Sequence, residues 1–172
     1  MQRLLVPIWG IGGFVAILVV ALHRLIPNTI AGFDHPFAWW HWAVLILNTL
    51  AMAYYEGYKG FQRGYSPRVA ARALYLKKHG SVVDCVLAPL FCMAFYAAPR
   101  RRVIATWILT IFITLMIILF QYLPQPLRGV LDAGVVVGLT WGLIATIWFG
   151  LQALMLNKAS DPEVAADGRL QQ

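Results

Sequence analysis

Apolar residues come in long continuous runs rather than in alternation. Five runs stand out, at about 4–26, 37–57, 82–98, 103–123 and 130–156. Four of them approach or exceed the ~20 residues needed to cross a ~30 Å hydrocarbon core. In lipid every backbone polar group must find its partner inside the protein, so only helices or a closed barrel can span. A barrel strand alternates with period two, whereas these runs are continuously apolar, which selects helices. The pattern predicts an all-α, polytopic transmembrane bundle over residues 1–157. A polar tail, 158–172, is expected to be disordered.

The breaks between runs carry further detail. Pro7 falls in the first turn of the first run, where a missing N–H costs little. Gly10, Gly12 and Gly13 make that half slim enough for a close neighbour. A loop is expected over Pro27–Pro36. Trp39, Trp40 and Trp42 then open the second run as an aromatic interfacial belt. Gly57, Gly60 and Gly64 suggest a glycine-punctuated turn. Ser66-Pro67 reads as a helix start, with Ser66 as N-cap and Pro67 at the first helical position. From there Val69, Ala73 and Leu76 share a face, with Arg68, Arg72 and Lys78 off it. This predicts an amphipathic helix over 66–78 lying in the membrane surface, stopped by Gly80.

The third run is short, about 17 residues, with Pro89 in its middle and basic clusters on both sides, Lys77-Lys78 and Arg100-Arg101-Arg102. Three arrangements are open, one of them a short true span whose topology is set by the first helices. If the run crosses, there are five spans and one cluster lies on the unfavoured side. If it is re-entrant, broken at Ala88-Pro89, both clusters stay on one side. The last run holds Gly134, Gly138 and Gly142, a small-xxx-small ladder suited to close helix packing, within the chain or in a homo-oligomer.

Composition agrees with the pattern: 60% of the residues are hydrophobic, 12% are charged, and the mean hydropathy is +0.69. The net charge of +7 could suggest nucleic acid, but nine of the fourteen Lys and Arg lie between Lys59 and Arg102, at the ends of apolar runs. That placement marks cytoplasmic flanks and contact with anionic lipid headgroups, with Arg68, Arg72, Lys77 and Lys78 as the contacts, and no nucleic-acid partner. The expected location is a bacterial inner (plasma) membrane with the N-terminus cytoplasmic. Cys85 and Cys92 are seven apart, about 10 Å along a continuous helix, too far to pair there.

Three acids lie in or near apolar runs: Glu56, Asp84 and Asp132. Intramembrane carboxylates are candidate functional groups by default. With Lys59 and Arg63 they make up a candidate buried polar or solute site. Each also has a local explanation. Glu56 has Lys59 at i+3, Asp84 sits in a first turn favoured by the helix dipole, and Asp132 has Arg128 nearby. His23, His35 and His41 flank the first loop and are weak candidates for metal or haem, without a defensible spacing. No G-x-S-x-G, H-E-x-x-H or Walker A motif is present, and no catalytic residue, metal or cofactor is assigned. The expected function is a small membrane protein binding or passing a solute or ion through its bundle. The alternatives are an accessory or assembly subunit of a larger membrane complex and, less favoured, a lipid-active enzyme.

Overall fold

A computed structural model describes residues 2–79, 82–157 and 159–160. Gly80, the expected helix stop, and all but two residues of the expected tail lie outside them. Every regular element among the described residues is helical, and three helices are long and apolar enough to cross a membrane: Leu5–Phe33, Arg100–Gln121 and Leu127–Leu156.

The first helix, α1 (Gln2–Phe33), runs through Pro27 instead of ending there. Proline interrupts the local hydrogen-bond ladder. Side chains in the next turn compensate nearby carbonyls: Asn28 Nδ2 donates to Arg24 O at 3.3 Å and Thr29 Oγ1 to Leu25 O at 3.1 Å. The expected loop is therefore confined to the residues after Phe33.

The second run also extends past its expected end. Helix α2 (Trp39–Met52) passes without a break into a π-helix (Ala53–Tyr65) and then into α3 (Ser66–His79). The glycine-punctuated turn expected at Gly57, Gly60 and Gly64 is thus helical, with i→i+5 bonding. The Ser66 amide donates to Phe61 O, five residues back. Glycines are poor α-formers, so leaving the α geometry costs less here than elsewhere. One side-chain pair follows the wider turn, Arg63 over Tyr58 at i, i+5, 5.0 Å from the ring centre; Lys59 lies over Tyr55 at the ordinary i, i+4 spacing, at 6.0 Å.

Helix α3 has the expected extent but not the expected setting. Ser66 is helical (φ −61°, ψ −42°), whereas an N-cap has extended geometry. Its hydroxyl lies 2.9 Å from that of Thr146. Val69 to Leu74 and Leu76 are all buried, because α3 packs between α1, the long helix Leu127–Leu156 and a short helix described below. It is covered by the rest of the chain along most of its length, with no exposed residue before Lys78.

Helix α7 (Leu127–Leu156) is the axis of the molecule, in contact with α1, α2, the π-helix and α3. It runs parallel to the α2–α3 stretch at a nearly constant offset. Asn48 Nδ2 donates to Val130 O and Leu131 O at 3.1 and 3.0 Å, Trp141 Nε1 to Gln62 Oε1 at 2.7 Å, and Lys77 Nζ to Asn157 Oδ1 at 3.1 Å. It runs antiparallel to α1: Gly129 lies against Gly32 and Gly150 against Ile11. At the first of these crossings a Cβ on Gly129 would stand 2.6 Å from Gly32 Cα, so two bare backbones touch.

No single helix runs through Val82–Ala98. Helices α4 (Val82–Val86) and α5 (Ala88–Cys92) are separated at Leu87, and turns follow as far as Pro99. Helix α5 lies on α1, where a Cβ on Gly10 or Gly13 would collide with Cys92 or Pro89. The main core gathers Ile11, Phe14 and Leu18 of α1, Val69, Ala73 and Leu76 of α3, and Ala88, Phe91 and Cys92 of α5. Helix α6 (Arg100–Gln121) stands apart from this bundle. It is apolar around its whole circumference, and of its side chains only that of Thr106 is buried.

Candidate functional site

Where a helical segment is broken, carbonyls lose their in-helix donors and need others. Here side chains supply them from four elements. Arg72 of α3 is only 2% exposed. Its Nε donates to Phe91 O at 2.7 Å and its Nη2 to Tyr96 O and Ala97 O at 3.0 and 3.2 Å. The guanidinium also lies 4.2 Å from the centre of the Phe91 ring, a buried cation–π contact. The Tyr65 hydroxyl donates to Met93 O at 3.2 Å and the Thr106 hydroxyl to the same oxygen at 3.3 Å. Trp9 Nε1 donates to Val86 O at 3.2 Å. The turns after α5 include Ala94 and Ala97 at φ 61° and 51°. Such conformations cost an alanine roughly 1–2 kcal/mol each and persist only where the surroundings impose them.

Beside this segment lies a cleft of about 130 Å³, walled by α3, the turns after α5 and the first three turns of α6. Arg68, Arg72 and Arg102 line it, with Tyr65, Thr106 and Leu109. On α6 the lining residues are Arg102, Ala105, Thr106 and Leu109, the i, i+3, i+4, i+7 set of one helix face. Three guanidinium groups thus meet around a small volume. Arginine's fixed fork suits phosphate and carboxylate oxygens better than a lysine would.

The candidate residues are distributed differently from the expectation. Glu56, Asp84 and Asp132 do not meet. The Glu56 carboxylate lies on the bare backbone of Gly138, where a Cβ would stand 2.8 Å from its Oε2. Lys59, its expected partner, lies over the ring of Tyr55, and Arg63 over that of Tyr58. Among the described residues, no donor or cation reaches the Glu56 carboxylate. Asp132 is six residues before Gly138, about 9 Å of helix. It is buried, and its Oδ2 is 3.8 Å from Arg128 Nε, with neither atom hydrogen-bonded. Asp84 belongs to the broken segment and accepts a hydrogen bond from the Tyr96 hydroxyl at 3.3 Å.

Of the four expected headgroup contacts, Arg72 is interior, Arg68 lines the cleft, Lys77 caps the end of α7 through Asn157, and Lys78 is exposed. The Gly134, Gly138 and Gly142 ladder is covered within the chain, by Asn48, Glu56 and Phe61 in turn. His23 and His35 are exposed, and buried His41 accepts from the Ala38 amide at 2.9 Å. Among the described residues no three His, Cys, Asp or Glu side chains gather to hold a metal. Cys85 and Cys92 are both free. Tyr65, Arg102 and Thr106 are site residues without an advance signal. Pro89 marked the break in the third run but not the side chains that hold it. No protein-family model, curated protein or solved structure matches the chain.

Proposed function

We propose that this is a membrane protein of four spans and one re-entrant segment that binds an anionic group at its arginine-lined cleft and does not conduct a solute. The helix directions support the span count. Antiparallel α1 and α7, and parallel α2–α3 and α7, put the start of α1, the end of α3 and the end of α7 at one end of the bundle. The start of α6 joins them, because Thr106 meets Met93 and the other end of α6 turns into α7. Lys77-Lys78 and Arg100-Arg101-Arg102 then share one side, which the positive-inside tendency makes cytoplasmic. The Trp39–Trp42 belt lies on the other.

Binding is favoured over passage by one observation: a small cleft at the edge of the bundle is lined by three arginines, while the three acids stand apart from one another. An accessory-subunit role has one observation of its own, the apolar surface of α6 that this chain leaves uncovered. The test of binding is thermal unfolding of the purified full chain against a panel of soluble and amphiphilic anions at constant ionic strength. Saturable stabilisation by at least one of them, lost in both Arg68→Gln and Arg102→Gln, is expected. Stabilisation by none, or stabilisation indifferent to both variants, refutes the reading.

A further inference from the structure

Resting on that binding reading, we infer that the anion is the phosphate of an anionic phospholipid, with one acyl chain laid along α6. The volume of the cleft argues first. At about 130 Å³ it is slightly smaller than an engineered ~150 Å³ cavity that admits benzene. It can enclose a phosphate and part of a glycerol, and it cannot enclose a chain. The polarity of its wall argues second. Along α6 the lining passes from Arg102 through Thr106 to Leu109, from charge to aliphatic over seven residues, about 10 Å of helix. That gradient runs from the basic end of the bundle towards its middle, as a lipid does from headgroup to chain. The opening argues third. Ala105 and Leu109 line the cleft and are also exposed, so it opens sideways onto the uncovered apolar face of α6.

A soluble anion would use the arginines and none of the rest. A phospholipid uses all three features and needs no aqueous path, since it enters from the leaflet. The basic flanks Lys77-Lys78 and Arg100-Arg101 enrich anionic lipid at that surface.

The experiment uses the full chain in neutral detergent and three probes: dioctanoyl phosphatidylglycerol, dioctanoyl phosphatidylcholine and glycerol 3-phosphate. Unfolding temperature is followed for the parent, Arg102→Gln and Ala105→Trp. Both positions are exposed on α6, so the variants should fold, which their unfolding temperatures without probe confirm. Should Arg102→Gln not fold, Arg102→Lys replaces it, keeping the charge without the fork. The expected result is saturable stabilisation by phosphatidylglycerol alone. Its apparent affinity falls about tenfold or more in either variant, the loss of one charge-assisted contact or of the chain's seat. Equal stabilisation by glycerol 3-phosphate, unaffected by Ala105→Trp, overturns the lipid inference and leaves anion binding standing. Equal stabilisation by phosphatidylcholine, indifferent to Arg102→Gln, or no stabilisation by any probe, overturns both.

Discussion

Removing the Arg72 guanidinium should release the segment it holds. Arg72→Ala takes a donor from three backbone oxygens; those of Tyr96 and Ala97 are left unmet, while that of Phe91 keeps the Ala94 amide at 3.0 Å. An unmet buried acceptor costs roughly 1–3 kcal/mol, so simple addition over the two gives about 2–6 kcal/mol. Two effects reduce that. One side chain serves all three oxygens, so the losses are not additive, and deleting a buried charge also removes its desolvation penalty. We expect a net loss of about 3–4 kcal/mol, felt first as local opening of α5 and the turns after it. Cys92 reports that opening: its side chain is 2% exposed and lies against Gly10 of α1. In a Cys85→Ser background, maleimide labelling of Cys92 should accelerate on the order of 10²- to 10³-fold in Arg72→Ala. Arg72→Lys should fall between, because a single ammonium cannot fork to three carbonyls. A labelling rate in Arg72→Ala within about threefold of the parent's, a difference of roughly 0.7 kcal/mol, would show that the guanidinium does not hold the segment.

Glycine substitutions should rank by what the new methyl meets, with detergent unfolding temperature as the measure. Gly129→Ala meets the Gly32 backbone at 2.6 Å and should cost the most, roughly 2–3 kcal/mol. Gly138→Ala meets the movable end of Glu56 and should cost about 1 kcal/mol. Gly12→Ala meets nothing within 4 Å and should be neutral or stabilising by up to about 1 kcal/mol through helix propensity. A reversed order would contradict the packing described. Glu56→Gln should change stability by less than about 1 kcal/mol, since no ion pair or hydrogen bond is lost; a larger destabilisation measured by the same unfolding assay would reveal a partner for the carboxylate. A cysteine in place of Arg101, in an otherwise cysteine-free chain, should be labelled in oriented vesicles from the same side as one placed near the N-terminus. Labelling from the opposite side would restore a fifth span.

How much of this was legible in the sequence depends on whether a feature is local. The runs that became α1, α6 and α7 were readable because twenty apolar residues in a row have few alternatives in lipid. Pro89 announced a break, and the third run is indeed not one helix. What could not be read was which distant groups would satisfy it. Arg72 shares a polar stripe with Arg68 on a helical projection, and nothing in the spacing says that one is sealed inside. Only the arrival of Phe91, Tyr96 and Ala97, about twenty residues on, distinguishes them. The π-helix was hidden for the same reason. Three glycines signal weak α preference, and without α7 alongside they fit a turn equally well. The acids were identifiable as unusual, but their separation depends on the offset between α2–α3 and α7, which no single helix encodes.

That offset also bears on how the chain is made. The Ser66 and Thr146 hydroxyls that meet in the finished seam are 80 positions apart, as are Lys77 and Asn157. At ribosomal rates of about 5–20 residues per second, the earlier member of each pair waits roughly 4–16 s for the later one. During that interval Asn48 and Ser66 lack the groups that they bond in the finished seam. Helix α7 is the keystone, set last and touching every other long element except α6. A chain stalled before Leu127 would keep its hydrophobicity and lose its seam, which makes the interval before α7 arrives the time when quality control can tell a finished copy from an aborted one.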